Sequence, residues 1–227
     1  MQFHIFQDAK LEWRWQLSGD DGKKIADSGE GYRDKDACLE TISAVKASDE
    51  AIVLENLGLI ASAQGRVPEA RAAFEAALAI ARDIDSRALV ASTLLHLGTS
   101  QLDAGELDAS ECALGEAMAL ARELGVEPLQ LEGHAALARL QLLRGEQPTE
   151  HLDALLPQLQ SATAATLPLA LHAAAVQALE AHHDPRAAAL REHARAELRA
   201  RSERIADAAL RRSYLDIREH RAIAQSA

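Results

Sequence analysis

The sequence has little cysteine, few aromatic residues and a shortage of basic charge, and each shortage excludes a class of protein. Two cysteines among 227 residues, Cys38 and Cys112, are too few for a disulfide framework or, by themselves, for a zinc site. The formal net charge of −11 argues against non-specific binding to nucleic acid or to an anionic membrane, because both need a basic surface. We therefore expect neither partner.

Long apolar runs and catalytic motifs are also missing. No apolar run approaches the roughly 20 residues that span a bilayer, and the first residues lack the basic start and apolar stretch of a secretory signal. A cytoplasmic location is the expectation. The sequence contains no Walker-type phosphate loop, no Gly-x-Ser-x-Gly, no His-Glu-x-x-His and no Cys-x-x-Cys. This pattern predicts a protein that is not an enzyme and needs no cofactor.

Composition changes near residue 50. Aromatic residues concentrate in the first 32 positions, with only Phe74 and Tyr214 beyond them, whereas all six prolines lie in the second part, which is rich in Ala and Leu. We place a domain boundary at Ser48–Glu50, which divides the chain into residues 1–48 and 49–227.

The N-terminal part shows the period of two that is typical of strands. Leu11, Trp13, Trp15 and Leu17 alternate with polar residues, and a Gly-containing turn at 18–22 predicts an antiparallel return over about 23–28. Apolar residues then recur at helical spacing from Asp34 to Lys46, with Asp34 or Asp36 as candidate caps. A small antiparallel sheet followed by one helix is predicted.

Three pieces of this part resemble a known family. They are Glu12-Trp-Arg-Trp15, then Ile25-Ala-Asp-Ser-Gly-Glu-Gly-Tyr32, and a helix ending Ile42-Ser-Ala-Val-Lys46. Together they resemble the YegP-like family of small bacterial domains of unknown function, over about residues 2–47. The resemblance implies a small sheet with one helix, found as tandem copies or dimers, and no known reaction.

The two tryptophans have two interpretations. A unit of about 45 residues is near the lower limit for independent folding, so its apolar face needs a cover. Trp13 and Trp15 are either core, covered by the predicted helix, or part of a dimer interface.

The second part repeats itself every 40 residues. Leu57-Gly58 recurs as Leu97-Gly98, and glycines recur at 65, 105 and 145. Each unit is interpreted as a helix, a tight glycine turn and a second helix, with prolines in or before the first turns. The predicted helix pairs are 51–64 with 67–83, 87–104 with 107–124, 128–144 with 148–161, and 168–182 with 185–202.

This pattern resembles the tetratricopeptide repeat, although its period exceeds the usual 34 residues. The fold class is therefore a small α+β domain followed by an all-α solenoid of tetratricopeptide type, mainly α as a whole. The tail from Arg201 to Leu215 is interpreted as one amphipathic helix that caps the stack, and it resembles the closing segment of repeat regions in large bacterial signalling ATPases and regulators.

The resemblance to tetratricopeptide repeats implies a concave groove lined by the first helix of each pair. This groove has few cations, which disfavours a clamp for C-terminal carboxylates and suits an apolar or basic segment. The candidate groove residues are Asn56, Ser92, His96, Thr99, Asp103, Glu132 and Arg139.

Three functions follow as hypotheses. The first is a non-enzymatic scaffold or adaptor that binds a protein or peptide in its groove. The second is a structural unit that dimerises through its N-terminal domain at Trp13 and Trp15. The third is an enzyme or small-ligand binder that uses the Trp13–Trp15 region and the Ser28–Gly31 loop. A regulatory subunit of a signalling system is a further alternative, which rests on the resemblance of the tail. A weak metal site of His172, His182 and His193 is a minor alternative, since surface histidines are the simpler interpretation.

Overall fold

A computed structural model describes residues 2–19, 21–160 and 168–224. The elements are β1 (Gln2–Gln7), β2 (Trp13–Ser18), β3 (Lys24–Asp27), α1 (Lys35–Ala63), α2 (Val67–Asp83), α3 (Arg87–Asp103), α4 (Leu107–Leu124), α5 (Glu127–Leu143), α6 (Thr149–Leu159), α7 (Leu169–Ala181), α8 (Arg186–Glu203), α9 (Ala208–Leu215) and α10 (Arg218–Ala224). Two compact units, residues 1–90 and 91–227, divide the chain. The predicted fold class, a small antiparallel sheet followed by helices, is confirmed.

The sheet has the order β1-β2-β3 with antiparallel neighbours. Successive side chains of β2 point to opposite faces of the sheet, so Trp15 and Leu17 both face α1. There Trp15 packs with Cys38 and Ile42. The Phe3 ring meets the Trp15 ring edge-on, with centroids 5.5 Å apart. This aromatic cluster is the core of the N-terminal segment.

Helix α1 is continuous where the sequence predicted two helices. Asp34 caps its start by accepting a hydrogen bond from the Asp36 amide at 3.1 Å. The helix then runs through Ser48–Glu50 to Ala63 without a break. The two predicted helices are wrong as separate elements, because residues 46–50 contain no Gly or Pro and each added residue gains a backbone hydrogen bond. The domain boundary at Ser48–Glu50 stays a prediction.

The remaining helix pairs follow the predicted order, and their bounds differ from the prediction by at most two residues. Gly65, Gly105 and Gly145 close the first helix of successive pairs with φ of 71°, 80° and 75°, the left-handed conformation that glycine adopts without cost from a Cβ. In the fourth pair, His183 occupies this conformation with φ of 53°.

Small residues at two helix crossings let paired helices approach closely. A Cβ added to Gly58 would lie 2.6 Å from the Phe74 ring, and one added to Gly98 would lie 2.8 Å from Leu114 Cγ. The Ser110 hydroxyl donates a 2.8 Å hydrogen bond to the Gly98 carbonyl in the interior. In both helix pairs, α1 with α2 and α3 with α4, the close contact is therefore made by a glycine and the bulky residue 16 positions later.

The tail differs from the prediction of a single helix over 201–215. Helix α8 continues to Glu203, and after a turn Asp207 caps α9 by accepting bonds from the amides of Ala209 and Leu210. The short helix α10 then packs against α7 and α8. Among the described residues, no helix is long and apolar enough to cross a membrane.

Candidate interaction groove

A cavity of about 500 Å³ lies within the second unit, between the first helices of three successive pairs and the short helix α10. Its lining comes mainly from α3, α5, α7 and α10. The residues concerned are Leu95, His96, Thr99, Asp103, Glu132, Ala135, Ala136, Arg139, Pro168, Ala170, Leu171, Ala173, Ala174, Val176, Gln177, Glu180, Arg191, Arg218, Glu219, Ala222 and Ile223.

The structure brings most of the predicted groove residues to this cavity. His96, Thr99, Asp103, Glu132 and Arg139 all line it. Two others do not. Ser92 lies half-buried on α3 outside the lining. Asn56 belongs to the other unit, exposed on α1, where its side-chain amide donates to the Ile52 carbonyl at 3.0 Å.

Two ion pairs tie the walls of the cavity together. Arg139 on α5 contacts Asp103 on α3 at 2.6 Å. Arg191 on α8 meets Glu180 on α7 through two hydrogen bonds of 2.7 and 2.6 Å, the paired geometry that suits a guanidinium and a carboxylate. These four charges are satisfied by one another.

Glu132 has a different environment. The structure gives its carboxylate no hydrogen bond or ion pair with any described residue, and its side chain is half-buried. Burial raises the pKa of this carboxyl above its ordinary 4.5, while the neighbouring His96 on α3 acts in the opposite direction.

The C-terminal wall of the cavity is held by arginines. Arg191 donates to the Ala222 carbonyl at 2.8 Å, and Arg195 donates to the Ile223 carbonyl at 3.1 Å. Both cations lie at the C-terminal end of α10, where carbonyl groups lack helical partners and the helix dipole favours positive charge. These contacts fasten α10 to α8 beside the cavity.

Sequence reasoning missed the contributions of α7, α8 and α10. The 40-residue period was a signal for α7, because counting on from His96 gives Ala136 and then Val176, and all three line the cavity. No periodic signal pointed to α10 or to Arg191.

The histidines of the candidate metal site are only partly brought together. The rings of His172 and His193 stack with centroids 5.9 Å apart, whereas His182 is exposed at the end of α7. Within residues 2–19, 21–160 and 168–224, no three His, Cys, Asp or Glu side chains are grouped as metal ligands. A second pair, His134 and His151, places its Nδ1 atoms 3.0 Å apart between α5 and α6.

The two tryptophans lie on the face of the sheet that packs on α1. Trp15 is 6% exposed in the core of its own chain, and Trp13 is half-buried with the Lys35 ammonium 5.3 Å from its ring centre. Trp13 also exchanges backbone hydrogen bonds of 2.7 and 2.8 Å with Tyr32. The placement of Trp15 agrees with the core interpretation of this residue, and a dimer interface at the pair stays a prediction.

Comparison with known proteins supplies the family. Residues 8–53 match a domain of unknown function, DUF1508. A UPF0339 protein of Neisseria meningitidis serogroup B (strain MC58) is 39% identical over 51 residues, which are 22% of this chain and 89% of that protein. The chain belongs to the UPF0339 family. A second UPF0339 protein, from serogroup A (strain Z2491), shows the same identity and coverage.

The UPF0339 segment is joined to a second family. Residues 49–123 match the tetratricopeptide repeat, so the fusion of a YegP-like segment with a tetratricopeptide region is confirmed. The two matches meet at residues 49–53, inside α1. No solved structure matches the chain. The tetratricopeptide match supports, in general terms, a scaffold for protein–protein interaction.

Proposed function

We propose that this protein is a non-enzymatic interaction module whose cavity between α3, α5 and α7 binds a segment of a partner protein. The observation that carries the proposal is that the first helices of three successive pairs converge on one cavity of about 500 Å³. That volume lies within the range typical of ligand sites. Two free thiols, buried Cys38 and exposed Cys112, suit a reducing cytoplasm, which we propose as its location.

The lining of the cavity suits a peptide segment. Alanine side chains at 135, 136, 170, 173 and 174 leave room, while Leu95 and Leu171 supply apolar walls. Gln177 adds a side-chain amide at the same surface, and the Thr99 hydroxyl, which donates to the Leu95 carbonyl at 2.9 Å, can still accept a hydrogen bond. Apolar walls with a few polar groups fix both the affinity and the orientation of a bound chain.

A blocking substitution tests this proposal. Ala170 lines the cavity but is exposed, so Ala170→Trp would fill space without disrupting a packed core. Ala181→Trp, an exposed position on the same helix outside the lining, is the matched control. We expect a partner captured by the full chain from a bacterial lysate to be lost with Ala170→Trp and kept with Ala181→Trp. Equal capture by both variants would contradict binding in the cavity.

A second candidate function, self-assembly, has its own observation on α1. Ile52, Val53, Leu57 and Ile60 are between 40% and 57% exposed, and Val53, Leu57 and Ile60 form a stripe at helical spacing. Exposed Glu50 begins this stripe and exposed Arg66 follows its end. An antiparallel second copy would place each acidic end beside the other copy's Arg66, as a two-fold interface requires.

Light scattering of the full chain tests self-assembly. The mass is expected to be that of a dimer, and Leu57→Glu is expected to return it to a monomer because a charge would then lie in the apolar interface. Leu210→Glu, at a 65% exposed leucine on α9, serves as the control and should leave the mass unchanged. A monomeric wild-type chain at micromolar concentration would refute this second function.

A further inference from the structure

Some of the acidic side chains that line the cavity have an arginine partner and others do not. Asp103 and Glu180 are each held by an arginine, Arg139 and Arg191 respectively. Glu132 on α5 and Glu219 on α10 have no hydrogen bond or ion pair with any residue that the structure describes. The cavity therefore contains two carboxylates that Arg139 and Arg191 do not pair with, and His96 is the basic neighbour that acts on Glu132.

Glu132 is the more informative of the two. It lies on the middle of the three groove helices, between Leu131 and Gly133, both of which are buried. A carboxylate removed from water without a partner destabilises the folded protein, and the cost falls when a cation pairs with it. Burial raises the pKa of Glu132, which is the same penalty expressed as a preference for the neutral form.

The surroundings of Glu132 suit the stem of a long cationic side chain. Leu95, Ala135, Ala136 and Leu171 line the same cavity and present methyl and methylene groups. Lysine and arginine place an aliphatic stem along apolar surface while the charged head reaches a polar group. A short or purely apolar side chain would leave the carboxylate unpaired.

We infer that the cavity receives a lysine or arginine side chain from an otherwise apolar segment of a partner protein, and that Glu132 is its counter-ion. This inference rests on the proposed function, since it specifies which segment the groove binds. It also agrees with the expectation that the groove is not a carboxylate clamp, because Arg139 and Arg191 are already engaged by acidic residues of the chain itself.

A selection from a library of random seven-residue peptides, displayed to the full wild-type chain, tests the inference. Selected peptides are expected to share one Lys or Arg among apolar residues. The affinity of a selected peptide is then measured by calorimetry for wild type, Glu132→Gln and Glu127→Gln. Glu127→Gln is the matched control, because Glu127 is exposed on the same helix and lies outside the cavity.

The expected result is a loss of at least about tenfold in affinity for Glu132→Gln and none for Glu127→Gln. Replacing the peptide's cation by norleucine should weaken binding to wild type by a similar factor and change binding to Glu132→Gln little, as a direct pair requires. Glutamine is close in size to glutamate and is uncharged, so the variant keeps the packing of α5, which circular dichroism verifies.

The outcomes separate this inference from the proposed function. Some peptides could bind Ala170→Trp more weakly than wild type and yet bind Glu132→Gln as tightly as wild type. That result would support binding in the groove and refute the role of Glu132 as counter-ion. Selected peptides without any cation would overturn it as well. If the wild-type chain selects no peptide, or if Ala170→Trp leaves binding unchanged, the proposed function fails and the inference fails with it.

Discussion

The UPF0339 segment and the tetratricopeptide region bury apolar surface in opposite ways. The first gathers large aromatic side chains, Phe3, Trp13 and Trp15, on one face of a three-stranded sheet against part of one helix. The second uses alanine and leucine along many helices, with glycine where two helices cross. Stability is therefore concentrated in a few side chains in the segment and distributed over many small contacts in the repeats.

The largest expected effect is at the centre of the aromatic cluster. Trp15→Ala would remove a 6% exposed side chain from the core and cost about 3–5 kcal/mol of unfolding free energy, enough to unfold a small sheet. Urea unfolding followed by the fluorescence of Trp13, the remaining tryptophan, measures this. Leu11→Ala, at a 74% exposed residue, is the control and should change the midpoint little. A similar small change for Trp15→Ala would contradict a concentrated core.

The second effect compares two glycines of neighbouring helices. Gly98→Ala would place a Cβ 2.8 Å from Leu114 Cγ and 3.2 Å from its backbone nitrogen, so α3 and α4 would have to separate at a cost of about 1–3 kcal/mol. Gly115→Ala meets nothing within 4 Å and should stabilise α4 by about 0.5–1 kcal/mol. Urea unfolding by circular dichroism gives both values. If both substitutions changed the free energy of unfolding in the same direction, the interpretation of Gly98 as a close helix crossing would be refuted.

The smallest expected effect is a difference in pH dependence. Burial lowers the pKa values of His134 and His151 from their ordinary 6.5, and their facing Nδ1 atoms suit two neutral rings, one donating to the other. The unfolded chain binds protons at higher pH than the folded chain, so this contribution is complete above about pH 6.5 and is lost as the pH falls towards the lowered values. Thermal unfolding of the repeats should therefore weaken between pH 7.5 and 5.5.

The stability of the UPF0339 segment should depend less on pH over this range than that of the repeats. Its Asp8 carboxylate accepts a 2.6 Å hydrogen bond from Arg14, which lowers the pKa of Asp8 below 3.8, so this pair remains charged throughout that interval. Tryptophan fluorescence, which reports on this segment alone, should show little change over the same range. His134→Asn removes one member of the pair and should make the pH dependence seen by circular dichroism shallower, while buried His151 and His172 retain their own contributions. An unchanged slope in that variant would assign the effect to other groups.

Periodic features could be predicted from the sequence, and single contacts could not. The bounds of α3, α4 and α5 followed from residues that recur every 40 positions, because each repeat makes the same crossing. The change of composition near residue 50 predicts a break between two helices, but α1 is continuous because no residue between Lys46 and Glu50 disrupts a helix. The position of α10 depends on Arg191 and Arg195 reaching its last carbonyls, which no local pattern reveals.

The continuity of α1 limits how the length of this protein can change. Within the first unit, the sheet packs on the early turns of α1 and α2 packs on its later turns, with no joint between them. One residue inserted near Ser48 would rotate the later turns by about 100° relative to the earlier ones. An insertion of four residues would leave a net rotation of about 40°, so the sheet and α2 keep nearly the same relative orientation only when the inserted length is close to a whole number of helical turns.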